Sequence, residues 1–207
     1  KTINIYFANK KVNFIKDEIA NIQKINNRWI SYSKNNKKIK SDAIILCNSL
    51  DALNLISHTT NKIKLKPVLG QAVEIFVDEK EVDLLSLPKH FNINGVNILP
   101  LTQNKLIFGS TDEYNNEPED NVFEKLTNFI ENKPNWLSDK KITRKWFGIR
   151  SRPDGEASPI QMNLENGLIL CTGFYKNGFL LAPACSRWVA NELQKYFMDC
   201  RRFKKKR

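Results

Sequence analysis

GLILCTGFYKNGFLLAPACSRWVANEL, residues 167–193, passes from a continuous apolar run through a glycine-bearing turn into helical spacing. Gly167 to Gly173 reads as a short strand buried on both faces, the pattern of a strand in a parallel sheet. Phe174 to Gly178 reads as a loop. From Phe179 to Phe197 the apolar spacing is that of a long helix, with Pro183 in its first turns, where proline is tolerated. A strand, a glycine turn and a helix start aim unpaired backbone N–H groups and the positive helix end at one spot. Such a spot stabilises an anion, or a ring carbonyl that gains negative charge. The same pattern also describes an ordinary strand-to-helix connection, and the residues alone leave both readings open.

The first third of the chain has the matching style. Val12–Phe14 begins an alternating run, Ile19–Ile25 forms a second, and Trp29–Ser33 a third after the polar turn Asn26-Asn27. A very polar turn over Lys34–Lys40 follows. Asp42 to Cys47 is then a continuous apolar run of the kind buried under helices in a parallel sheet. The middle differs. Gly70–Val77, Gly95–Pro100 and Lys105–Thr111 alternate and are separated by Pro-, Asn- or acid-rich turns, which predicts an antiparallel sheet with one solvated face. Asp120 to Glu131 places Val122, Phe123, Leu126, Phe129 and Ile130 at helical spacing, with Asp120 or Asn121 as cap and Pro134 beyond the end. The expected class is mixed α/β (α+β): first and last thirds sharing a parallel-style sheet, with an antiparallel insert between them.

A second chemical segment is WFGIRSRPDGEASP, residues 146–159. Gly148 allows the backbone to pass another group closely, and Arg150 and Arg152 point the same way on an extended strand. Pro153-Asp154-Gly155 is a turn. A guanidinium in a cleft clamps a carboxylate through two parallel N–H bonds, although a surface arginine pair beside a turn fits the local residues equally.

Composition narrows the class. With 207 residues, 41% hydrophobic and 10% aromatic, the chain can bury a sizeable core and is not a disordered segment. No apolar run approaches the roughly 18–20 residues that cross a bilayer, and the start carries no signal-peptide pattern. The expected compartment is the cytosol, with no membrane partner; Lys1 in place of Met leaves room for sequence upstream. The net charge is +11, of which 201–207 supplies six, leaving +5 elsewhere. A solvated basic tail explains that distribution better than a nucleic-acid surface, because Trp29, Trp136, Trp146 and Trp188 are scattered. Cys47, Cys171, Cys185 and Cys200, with His58 and His90, show no zinc spacing, so the cysteines are expected to be reduced and no metal is expected. Cys47 and Cys171, inside apolar runs, are expected to be buried.

Three groups of segments, in order, resemble the C-terminal half of the D-amino-acid oxidase superfamily, and within it the glycine oxidase type. They are LKPVLGQAVEI (65–75), GVNILP with KLIFGSTDE (95–113), and WFGIRSRPDG with LILCTGFYKNGFLLAPACSRWVA. The resemblance implies FAD as cofactor and oxidation of a small amine or amino acid by hydride transfer to flavin. It implies that Arg150 clamps the substrate carboxylate, with Asn97 and Lys176 in the substrate pocket. It implies flavin contacts from Gly148, Ile149, Gly173, Lys176, Asn177, Gly178 and Phe179.

Implied domains are 1–58 as part of an FAD-binding three-layer domain, 59–145 as an inserted substrate domain, 146–200 as the return to the first, and 201–207 as a basic tail. Departures from the family pattern are specific. No G-x-G-x-x-G fingerprint is present, so the chain reads as a truncated portion. Cys47-Asn48-Ser49 stands where Ala-Gly ends the strand, Asn97 stands for an active-site Tyr, Phe174 and Lys176 stand for His and Arg, and Ser151 for Pro. These changes move the expected substrate from glycine to an unidentified amine or amino acid. The alternative reading is a non-enzymatic binding module or inactive relic, with the tail on nucleic acid.

Overall fold

β11 (Leu168–Thr172) is buried at all five positions and organises one half of the chain. In the computed structural model, which describes residues 10, 12–56, 63–114, 117–138, 141–155 and 159–205, it lies between β10 (Ile160–Glu165) and β4 (Ile44–Leu46). β10 runs antiparallel to it and β4 parallel. Successive side chains of a strand point to opposite faces. Leu168 and Leu170 accordingly pack with Trp29, Leu46, Ala52 and Ile56, while Ile169 and Cys171 pack with Cys185 and Val189. Trp29 belongs to β2 (Arg28–Ser33), the centre of a three-stranded meander with β1 (Ile19–Ile25) and β3 (Lys38–Ser41). Cys185 and Val189 belong to α4, the long helix Gly178–Lys205. Meander, sheet and helix make three layers, and α1 (Ala52–Leu55) closes the core behind β4.

The other half is a five-stranded antiparallel sheet in the order β6-β7-β8-β5-β9. Its strands are β5 (Leu65–Phe76), β6 (Phe91–Ile93), β7 (Val96–Thr102), β8 (Lys105–Gly109) and β9 (Lys141–Pro153). One face packs Val73, Ile75, Ile98, Leu106 and Phe108 against Val122, Phe123 and Leu126 of α2 (Val122–Thr127), with α3 (Asn135–Ser138) adding Leu137. Phe108 and Phe123 meet edge to face with ring centroids 5.8 Å apart. β5 and β9 pair along their whole lengths, from Leu65↔Pro153 to Phe76↔Lys141. The mixed α/β class and the parallel partnership between the first and last thirds are as the sequence reads.

Several details differ. Residues 12–18 form no strand, and Val12 and Phe14 are exposed. Within Lys34–Lys40 only 34–37 turns, and Lys38–Ser41 pairs with β2 because Ile39 is half-buried in an otherwise polar edge strand. β4 is not buried on both faces: Ile45 is 41% exposed, and Cys47 lies on the surface. Cys171 is buried, which pushes its thiol up to about 12. Helix α2 is shorter than 120–131; the Asn121 side chain makes no capping bond, and Phe129 and Ile130 reach the core from the turn that follows. β10 and β6 went unread: β6 is three residues long, and β10 is a short alternating run. His58 and the side chains of 202–207 lie outside the described residues.

Candidate functional site

The cross-strand register decides which side chains share a face. Directly opposed residues of antiparallel strands point the same way. Arg150 faces Val68, Gly148 faces Gly70, and Trp146, Ala72, Gly109 and Asn97 form one row. All of these lie on the face opposite the Phe108 core, and that face carries the candidate site. Ile149 and Phe147 alternate with them and project from the other side of β9, exposed by 43% and 56%.

Arg150 reaches sideways across β5. A Cβ added at Gly70 would lie 1.9 Å from Arg150 Nη2, so only glycine leaves room for the guanidinium to cross. Beyond β5 it meets the segment that follows β8. Arg150 Nη1 donates to Asp112 Oδ1 at 2.9 Å and to the Thr111 carbonyl at 3.2 Å, and Nη2 donates to the Ser110 hydroxyl. That segment is held against β5: the Thr111 amide donates to the Gln71 carbonyl at 3.1 Å, and the Gln71 amide to Thr111 Oγ1 at 2.9 Å.

The turn after β11 arrives at the same place. Tyr175, with φ of +51°, donates its amide to the Ser151 carbonyl at 3.2 Å. Lys176 Nζ bonds Asp112 Oδ2. Arg152 extends the cluster, its guanidinium 5.4 Å from the centre of the Tyr175 ring while also bonding the Tyr114 hydroxyl. Lys176 lies 5.5 Å from the same ring, and both distances suit cation–π attraction. Burial, and then the Asp112 carboxylate, push the Tyr175 phenol above its ordinary range. Two cations, Arg150 and Lys176, thus meet on the Asp112 carboxylate, with Arg152 beside the adjoining Tyr175 ring.

The two segments that sequence reading singled out therefore meet, through Asp112 and through the Tyr175–Ser151 backbone bond. Asn97 shares the face but not the cluster. With β8 and β5 between, it stands about 14 Å across the sheet and about 13 Å along it from Arg150 at usual strand spacings. Its carboxamide oxygen lies 2.9 Å from His90 Nε2 and accepts from Asn92 Nδ2 at 3.0 Å. Gly173, with φ of +72°, is tightly packed, since an added Cβ would lie 2.9 Å from Pro153 Cγ. Gly148 borders open space, with nothing within 4 Å of the same test atom. The turn ends as Leu181 donates to the Asn177 carbonyl at 2.9 Å. The amides of Gly178, Phe179 and Leu180 precede the helix's own acceptors, and the Phe179 side chain is fully exposed.

Sequence reading missed Asp112, Gly70 and Tyr175. Gly70 carried a signal, because a glycine inside an alternating strand marks close approach. Asp112 had only its place after a strand end. A groove of about 800 Å³ lined by Lys24, Arg28, Tyr196, Phe197 and Arg201 lies at the opposite end of β11, away from this cluster.

The fold is that of one half of a flavin-dependent oxidoreductase. The model of the FAD dependent oxidoreductase family matches residues 5–192, and the chain belongs to that family, whose cofactor is FAD. It is 26% identical over 168 residues to a glycine oxidase of Pseudomonas aeruginosa, covering 79% of this chain and 45% of that one. A Bacillus licheniformis glycine oxidase is 28% identical over 130 residues, covering 60% and 34%. Among solved structures, glycine oxidase from Bacillus cereus superposes with a TM-score of 0.73 at 18% identity, over 88% of this chain and 51% of that one. L-proline dehydrogenase from P. horikoshii superposes at 0.75 and 17%, over 92% and 53%. The chain spans less than half the length of these curated relatives and about half that of the solved structures. No described helix is long and apolar enough to cross a membrane.

The residues present fit one edge of a flavin. The amides at 178–180 suit its electron-rich carbonyl edge, and the open side of Gly148 admits a flat ring. Among the described residues there is no glycine-rich turn at a helix start of the kind that cradles a pyrophosphate.

Proposed function

We propose that this chain supplies the substrate-binding and ring-covering part of an FAD-dependent enzyme that oxidises the C–N bond of a small amine or amino acid. FAD, when bound, would supply the hydride acceptor for the carbon that bears the amine. Arg150 and Lys176 bind and orient the substrate carboxylate, and Gly148 leaves room for the ring. The amides of Gly178, Phe179 and Leu180 stabilise the charge that reduction places on the ring's polar edge. The Asn177 amide is taken by the Phe174 carbonyl at 2.9 Å and shapes the turn instead. The names of the relatives, glycine oxidase and L-proline dehydrogenase, support a small amino acid as substrate class. The observation that carries the reading is the meeting of Arg150 and Lys176 at Asp112, which ties the helix-start turn to the clamp strand.

The test is anaerobic mixing of the full-length, flavin-loaded protein with glycine, sarcosine, proline and methylamine, followed by visible absorbance. Bleaching by at least one of them is expected. A yellow protein that none of these or a wider amine panel reduces overturns the reading.

A further inference from the structure

In this structure the clamp is already engaged. A guanidinium has five N–H donors, and bidentate binding of a carboxylate uses two parallel ones. The four terminal N–H groups of Arg150 are met by the chain itself: Nη1 by Asp112 Oδ1 and the Thr111 carbonyl, Nη2 by Ser110 Oγ and, at 3.3 Å, the Thr111 carbonyl. The second Asp112 oxygen takes Lys176. One internal carboxylate therefore occupies both cations assigned to the substrate. It is within reach of solvent, since its side chain is 35% exposed and that of Arg150 19%.

We propose that Asp112 is an intramolecular stand-in for the substrate carboxylate, and that a carboxylate ligand enters by displacing it from Arg150 and Lys176. This rests on the reading of Arg150 as the clamp. The exchange trades one carboxylate for another, so the charge balance barely changes. The tethered competitor has an effective concentration of roughly millimolar or more. A simple carboxylate must overcome that competition with nothing to offset it. A zwitterion recovers part of it, because the freed Asp112 carries a negative charge beside the entering ammonium. The site is thereby biased toward small amino acids over simple acids, and toward neither for an amine without a carboxylate.

Titration of the full-length protein and its Asp112→Asn variant with acetate, glycine and methylamine tests this, read by calorimetry and by the NMR signal of the Arg150 side chain. Asp112→Asn should bind acetate about tenfold more tightly, the scale of losing two partly exposed ion pairs to the competitor. Glycine should gain less than acetate, and methylamine nothing. Asp112→Glu, which keeps the charge, should return acetate binding toward the wild-type value. Acetate affinity that is unchanged or weaker in Asp112→Asn overturns the proposal, as does the absence of any acetate binding to that variant. Loss of methylamine binding there would overturn it too, by making Asp112 a direct amine acceptor. Flavin bleaching is a separate readout, so a failure of the oxidoreductase reading remains distinguishable from a failure of this one.

Discussion

The five-stranded antiparallel sheet and the β11-centred layers solve the same burial problem to different degrees. The antiparallel sheet encloses its own core, with Val73, Ile75, Leu106, Phe108 and Phe123 each at 1% exposure or less. The β11 strand is as well buried, but the elements around it turn apolar groups outward. Ile45 on β4 is 41% exposed, and Phe179 and Leu180 at the start of α4 are 102% and 78% exposed. Of these, Phe179 and Leu180 sit at the helix start that contributes to the candidate site, as apolar groups of binding surfaces do. Outside its enclosed core the antiparallel sheet too leaves apolar groups exposed, among them Leu101 and Phe147, each at 56%. The candidate site draws on both regions, with Arg150 and Gly70 from the antiparallel sheet, Asp112 from the segment after β8, and Lys176 from the turn after β11. Substitutions should therefore differ by whether they strike the enclosed core or the exposed surface.

Phe108→Ala should be the most damaging change. It removes a ring packed between the sheet and Phe123, and should cost about 3–5 kcal/mol by denaturant unfolding. A loss under 1 kcal/mol would mean that the antiparallel core is not the unit described. Acid should act on the same region more gently. Burial alone would raise Glu113, but hydrogen bonds from Thr111, Gln71 and Lys125 outweigh it and hold its carboxyl below the usual range. The unfolded chain therefore takes up that proton first as pH falls. The stability Glu113 contributes is complete above about pH 4.5 and is lost as pH falls through the depressed value. Stability measured from pH 6 to 3 should show this acid limb, and Glu113→Gln should flatten it. Phe179→Ser sits at the small end. Removing a fully exposed ring should change stability by less than about 0.5 kcal/mol, whereas a large loss would show that the helix start is packed after all.

Legibility in the sequence followed the same division. Gly167–Gly173 was readable as a continuous apolar run, and Ile19–Ile25 and the runs of the middle by their alternating residues. Residues 70–75 are nonetheless buried at every position, where one solvated face was expected. Ile160–Glu165 carries an alternation of Ile160, Met162 and Leu164 with polar residues and went unread all the same. Lys38–Ser41 was hidden, since a mostly polar edge strand is specified by its neighbours. Ile45 and Cys47 misled for the opposite reason: an apolar run implies a cover, and the sequence does not say on which element that cover resides. In the site, Arg150 and Lys176 were legible as cations in suggestive places, and their meeting depends on register that no single segment contains. Asp112 was invisible because an aspartate after a strand end is ordinary until Arg150 is seen to cross Gly70.

The central claim is that this chain clamps the substrate while most of the cofactor's grip lies elsewhere. Arg150→Ala in the full-length, flavin-loaded protein tests it most directly, with substrate KM and bound flavin measured on the same sample. The account predicts a KM raised at least about tenfold, the scale of a lost charge-assisted pair, with flavin content unchanged. An unchanged KM, or flavin lost along with substrate affinity, would contradict it.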